Sequence, residues 1–223
     1  MPRLGCPPYA GHVTTVLLTG FEPFDGDPAN PSGEAVHLVA ERWNGPEELV
    51  TATLPVAFTR AARRVRELMA EHRPDVVIAA GLAGGRAAIG VERLAVNLID
   101  ARIPDNDGAQ PIDEPSADGA PAARFASLPV KAIVARIAEA GIPAEVSYSA
   151  GTFVCNHVFF TALEAAASGT RVGFVHVPWS AEHAPTADAP ALPLADIVRA
   201  IELAVRTSLD VTEDVKASAG TVH

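Results

Sequence analysis

The sequence predicts an α/β protein: a single-domain three-layer α/β/α sandwich with a largely parallel, mixed central sheet. Three observations predict it. Short runs rich in Val, Ile and Leu alternate along the chain with longer amphipathic segments. A run such as Asp75–Gly81 is apolar throughout, the pattern of a strand buried on both faces. The 223 residues, 48% hydrophobic and 20% charged, show no internal repeat and no linker and fit within one core.

The elements follow in order. VTTVLLTG, Val13–Gly20, is β-branched and closes on glycine, so it forms a buried strand. The turn-rich FEPFDGDPANPS leads into a helix over EAVHLVAERW, with Ser32 or Asn30 as its N-cap. A strand at Val50–Val56 precedes a helix at Thr59–His72. That helix carries arginines on one side and Val65, Leu68 and Met69 on the other, and Pro74 stops it. Strands are expected at Asp75–Gly81 and Leu94–Asp100, and Ile103–Pro121 reads as a surface loop. A helix at Val130–Ala140 ends at Gly141, and a strand at Ala144–Tyr148 leads to a helix at Cys155–Ala167. Arg171–Val177 is a strand closed by Pro178, and Leu194–Ser208 is the last helix. A single domain is thus expected over 13–208, with a flexible extension at 1–12 and a polar tail at 209–223 that frays.

Composition excludes several classes. A net charge of −10 disfavours a nucleic-acid partner and an anionic membrane surface, because both need a basic face. The opening MPRLGCPPYAGH lacks the apolar run of ~7–15 residues that a signal peptide needs. No stretch approaches the ~18 apolar residues of a membrane span. Cys6 and Cys155 are the only cysteines, too few for a disulfide framework or a four-cysteine zinc site. A reducing, cytoplasmic setting is expected, with no metal and no cofactor.

In α/β sheets, sites gather in the loops that leave the C-terminal ends of strands. Four such segments are polar or glycine-rich: Gly20–Phe24, Gly81–Arg86, Gly151–His157 and His176–Trp179. Cys155 follows a strand and a short turn and opens a helix. There the helix dipole is expected to favour the thiolate, and free N–H groups to receive an oxyanion. A buried, inert cysteine is the bland alternative. Among seven histidines, His176 has the best claim as its base, because it lies near the end of an apolar strand that would hold it rigidly. His157 is two residues from Cys155, and i,i+2 side chains on a helix diverge. A third group should orient the imidazole. Glu92 suits the role, and spacing does not choose it over Asp100 or Glu182.

The segments LLTGFEPFDGDPANPSGEAV, GLAGGRAAIGVERLAVNLIDARIPDNDGAQP, SAGTFVCNHVFF and GFVHVPW resemble, in this order, those of the pyroglutamyl peptidase I family of cysteine exopeptidases. The resemblance runs from about Val16 to Ser208. It implies Cys155 as nucleophile, His176 as general base, Glu92 as the acid that orients it, and Arg102 in support of the oxyanion. It implies Phe21 and Phe24 as walls of the pyroglutamyl pocket. Leu82, where the family often has Gln, would meet the ring through its backbone. Trp179 stands where the family usually has tyrosine. The implied substrates are N-terminally pyroglutamylated peptides, and the implied assembly is a homo-oligomer, a tetramer.

Two other functions compete. GLAGGR after a strand suggests a nucleotide- or phosphate-binding enzyme, although its glycines match neither the dinucleotide nor the Walker spacing. In the peptidase reading, Gly84 and Gly85 serve close backbone approach in the substrate pocket, and Arg86 could be an ion-pair partner. A catalytically silent pyroglutamyl-peptide binder is the other competitor, against which the intact Cys155, His176 and Glu92 argue.

Overall fold

The computed structural model describes residues 13–220. The expected extension at 1–12, with Cys6 and His12, and also His223, lie outside the described residues.

Six strands form the central sheet: β1 (Thr15–Phe21), β2 (Glu48–Leu54), β3 (Val76–Leu82), β4 (Ile89–Glu92), β7 (Ala144–Ser147) and β8 (Arg171–Val177). Their order is β2-β1-β3-β8-β4-β7. Parallel pairing joins β2, β1, β3 and β8, while β4 runs antiparallel to β8 and parallel to β7. The sheet is therefore mixed, as expected, with its antiparallel step beside the strand that carries His176. Val16, Leu17 and Leu18 of β1 and Val76, Val77 and Ile78 of β3 are wholly buried, because helices cover both faces.

One helical layer holds α2 (Phe58–His72) and α4 (Val154–Ala165). The other holds α1 (Pro31–Arg42), α3 (Val130–Glu139) and α5 (Leu194–Asp210). Asn30 is the N-cap of α1, its side chain accepting from Ser32 N at 3.1 Å, and Pro31 takes the first helical position. The helix thus starts earlier than its apolar periodicity suggested. Arg73 ends α2 in the left-handed conformation at φ 45°, just before Pro74.

One expected strand changes. The expected strand at Leu94–Asp100 shortens to β5 (Leu94–Val96), which pairs with β6 (Ala123–Phe125) outside the main sheet. Asn97 ends it by sending its amide to the carbonyls of Ala117 and Ala120. The sheet strand in this region is β4, ending on Glu92 itself. The short pair β9 (Trp179–Ser180) and β10 (Ala191–Leu192) completes the fold.

The loop after Ile103 is irregular but anchored. The Asp105 carboxylate accepts from Phe58 N at 2.8 Å, capping α2 from a distance, and Asn106 donates to Pro23 O at 3.1 Å. Beyond α5 the chain is irregular and makes hydrogen bonds to the rest of the fold. Asp214 accepts from Lys131 N and Ala132 N at the start of α3, and Tyr148 Oη donates to Ala219 O.

Candidate active site

The C-terminal ends of β1, β3 and β8 lie side by side at one edge of the sheet, with the first turn of α4 over them. His176 is the point of reference. Its register partner on β3 is Gly81, and on β4 it is Gly90. Register partners project to the same face, and each glycine leaves room there for a functional atom. A Cβ on Gly81 would lie 2.7 Å from Cys155 Sγ. A Cβ on Gly90 would collide with Nη1 of Arg86. Sulfur and guanidinium therefore occupy the ground on either side of the imidazole.

Glu92 lies two residues beyond Gly90 on the same face, a diagonal neighbour of His176. His176 Nδ1 and Glu92 Oε1 are 2.7 Å apart, with the carboxylate fully buried and His176 4% exposed. Burial works to raise the Glu92 carboxyl. The hydrogen bond and charge of His176, with smaller contributions from Ser147 and then from the charge of Arg86, outweigh burial and hold it below the ordinary carboxylate range. Glu92 is thus ionised, and Nδ1 is the nitrogen committed to it. Asp100 is exposed and Glu182 reaches instead toward Leu194 N at 3.3 Å, so of the three acids that spacing left open it is Glu92 that meets the imidazole.

Cys155 is the second residue of α4. No side chain caps this helix at Phe153, so N–H groups of the first turn remain available to a substrate oxygen. Asn156, fully buried, fixes the helix by accepting from Val96 N at 3.0 Å and donating to the carbonyls of Val96 and Leu98. The thiol departs from expectation. Burial, aided by the Glu92 charge, pushes it up to about 12, against which the Arg86 charge is insufficient. The helix dipole was expected to give a resting thiolate, but desolvation is the larger effect at the sulfur, although the residue as a whole is only partly buried.

A cavity of about 90 Å³ opens onto the sulfur, lined by Phe21, Phe24, Leu82, Phe153, Val154 and Cys155 among others. The three pocket residues expected from the sequence thus come together. Phe153, which packs on Phe24 with ring centroids 5.4 Å apart, was not foreseen; it lay in the GTFVCN segment beside the cysteine. Asn30 also lines the wall, its side chain already engaged by Ser32 and the Glu22 carbonyl.

Two expected placements differ in this geometry. Arg102 is exposed, does not line the pocket, and makes no hydrogen bond or ion pair among the described residues. The guanidinium beside the cluster is that of Arg86, whose Nη1 lies 2.9 Å from Glu92 Oε1. Gly84 makes room for the Trp179 indole, where a Cβ would stand 2.5 Å from Nε1, and Gly85 faces open space. His157 diverges from Cys155 as expected: it is buried against Phe58, ring centroids 5.9 Å apart, and does not line the pocket.

The chain is similar to known proteins over nearly its whole length. Residues 14–211 match the sequence profile of the pyroglutamyl peptidase family. The pyrrolidone-carboxylate peptidase of Clavibacter michiganensis subsp. michiganensis is 50% identical over 212 residues, covering 94% of this chain and all of the relative. That of Bacillus subtilis is 46% identical over 215 residues, 93% of this chain and 98% of the relative. Among solved structures, pyroglutamyl peptidase I from Bacillus amyloliquefaciens superposes with a TM-score of 0.89 at 42% identity, over 93% of this chain and 100% of that one. Pyrrolidone carboxyl peptidase from Thermococcus litoralis superposes with a TM-score of 0.88 at 41% identity, over 92% of this chain and 100% of that one.

Proposed function

The chain belongs to the pyroglutamyl peptidase family of cysteine peptidases, and we propose from that premise that it removes N-terminal pyroglutamyl residues from peptides with Cys155 as nucleophile. The observation that carries the proposal is the seat of the Cys155 sulfur on Gly81, the register partner of a His176 bonded to Glu92, at the mouth of a small aromatic pocket.

Because the resting thiol is neutral, deprotonation belongs to the reaction. The substrate carbonyl enters beside the sulfur, the thiol proton passes to the free nitrogen of His176, and sulfur bonds to carbon. Glu92 stabilises the resulting imidazolium through Nδ1 and keeps the ring in the tautomer whose other nitrogen accepts a proton. N–H groups at the start of α4 receive the oxyanion; one such donor is worth roughly 3–4 kcal/mol. The C–N bond then breaks, His176 returns its proton to the leaving amine, and a thioester remains. Water, deprotonated by His176, attacks the thioester, and pyroglutamate and the thiol are released. Arg102 belongs to the proposal through the family resemblance alone, as support for the oxyanion.

The pocket fits the substrate class. A lactam is neutral and small, so it needs apolar walls, here Phe21, Phe24 and Phe153, and backbone amide partners, the role proposed for Leu82, which lines the cavity at the end of β3. A thiol nucleophile must stay reduced, which favours the cytoplasm; among the described residues no helix is long and apolar enough to cross a membrane. The proposal keeps 13–208 as the catalytic unit between the segments 1–12 and 209–223, and a homo-oligomeric assembly, tetrameric by resemblance.

The experiment is turnover of a fluorogenic pyroglutamyl amide by the reduced protein. Release of the fluorophore, absent with the corresponding prolyl amide, is the expected result. Binding of a pyroglutamyl peptide without release would instead favour the silent binder.

A further inference from the structure

We propose that Arg86 is a positioning residue for this reaction, holding Glu92 in place and balancing the charge of the Cys155–His176–Glu92 cluster so that sulfur can give its proton to the imidazole. The inference rests on the peptidase reading above and adds a fourth member to its machinery.

A carboxylate with no exposure persists as an anion only when paired and hydrogen-bonded. Glu92 Oε1 has two partners, His176 Nδ1 at 2.7 Å and Arg86 Nη1 at 2.9 Å. The second arm of the same guanidinium, Nη2, donates to the Ser149 carbonyl at 2.9 Å. Ser149 lies on the turn that runs from β7 to the start of α4, where Cys155 sits. One planar fork therefore ties the end of the acid's strand to the segment that carries the sulfur. A lysine, with one compact ammonium, cannot span both acceptors in this way. The backbone accommodates the arrangement: Gly90 alone on β4 has no side chain, and Arg86 Nη1 fills the place its Cβ would take.

Charge gives the second argument. When the thiol proton moves to His176, the buried cluster holds a thiolate, an imidazolium and the Glu92 carboxylate, and by themselves these leave one net negative charge. Arg86 brings the cluster to neutrality. Glu92 and Arg86 are the charged groups that act on the sulfur, the first opposing its ionisation and the second favouring it, and burial opposes it as well. Removing Arg86 leaves both opposing influences in place.

The test measures the rate of Cys155 alkylation by iodoacetamide at fixed pH near 8, with the adduct quantified on the peptide that contains Cys155, alongside turnover of the pyroglutamyl amide and thermal melting. Arg86→Met should slow alkylation about tenfold, the effect of about one pH unit in the thiol and the low end for an adjacent opposite charge. Arg86→Lys, which keeps the charge, should recover most of that rate while kcat stays below wild type. Gly90→Ala, which displaces the guanidinium without removing it, should slow alkylation in the same direction as Arg86→Met and serves if that variant does not fold. A wild-type alkylation rate in Arg86→Met and Gly90→Ala with only a lowered melting temperature would overturn the proposal. So would equal slowing in Arg86→Met and Arg86→Lys, which would make the effect one of lost packing. Wild-type protein that failed to release the fluorophore would sink the peptidase reading instead, and that result is read independently of the alkylation profile.

Discussion

The sulfur of Cys155 rests on the bare backbone of Gly81, so close that a Cβ there would stand 2.7 Å away. Phe174 closes the opposite side, its Cζ lying 2.8 Å from the same point. The seat is therefore shaped for one sulfur beside one imidazole.

Gly81→Ala should move the sulfur out of line with His176. Overpacking of this kind costs about 1–3 kcal/mol of stability, while a displacement of about 1 Å at reacting atoms costs roughly a hundredfold in rate. We expect kcat/KM to fall by at least about a hundredfold in protein that still melts cooperatively. Steady-state kinetics with a melting curve check this, and near wild-type kinetics would mean that the sulfur is not held where the structure has it.

Glu92→Gln keeps the shape of the side chain but loses the charge that steadies the imidazolium. It also leaves Arg86 without its anion. By analogy with the loss of a triad carboxylate, kcat should fall by roughly a thousandfold or more with little change in KM. An effect confined to KM would count against the assigned role.

His157 should weaken the protein in mild acid. Burial, and then the Arg66 charge, lower its imidazole from an ordinary 6.5 to about 4, and Nδ1 has no hydrogen-bond partner. The neutral ring is the one that fits, so its contribution to stability is complete above pH 6.5 and is lost as pH falls toward 4, on the order of 3 kcal/mol in all. Glu92 acts lower: its folded-state carboxyl is depressed, so its contribution is present above its ordinary 4.5 and is lost as pH falls through the depressed value. Urea unfolding at pH 7 and pH 4.5 should show a smaller acid loss for His157→Gln than for wild type. Equal losses would refute the assignment.

Phe24→Ala removes one wall of the pocket and the ring on which Phe153 leans. The loss falls on binding of the lactam in ground and transition states alike, so KM should rise by about tenfold or more while kcat changes less. Initial rates over a substrate range decide it; an unchanged KM would exclude Phe24 from the pocket.

The fold was legible where patterns are local. Apolar runs such as Val76–Ile78 and the periodicity of Thr59–His72 need no tertiary information. β4 escaped because it has four residues, one of them Gly90, and ends in a charge that reads as exposed. Its neighbour at Leu94 looked like the sheet strand because Leu, Val and Ile recur there, yet only tertiary pairing sends it to β6. In the site, Cys155, His176 and Glu92 were legible through the strand–turn–helix pattern and the family segments. Arg86 was visible only as a generic ion-pair candidate, because its partners, Glu92 and Ser149, meet it only in the folded chain. The thiol's protonation was misjudged for a related reason: the helix start is written in the sequence, and the burial that outweighs it is not.

The most direct measurement compares Cys155→Ser and Cys6→Ser in hydrolysis of a pyroglutamyl amide under reducing conditions. Serine preserves the shape of the site but is the weaker nucleophile on this scaffold. The prediction is a loss of about a thousandfold or more in kcat/KM for Cys155→Ser and nearly full activity for Cys6→Ser. Activity of Cys155→Ser within tenfold of wild type, or equal losses in the two variants, would contradict the account.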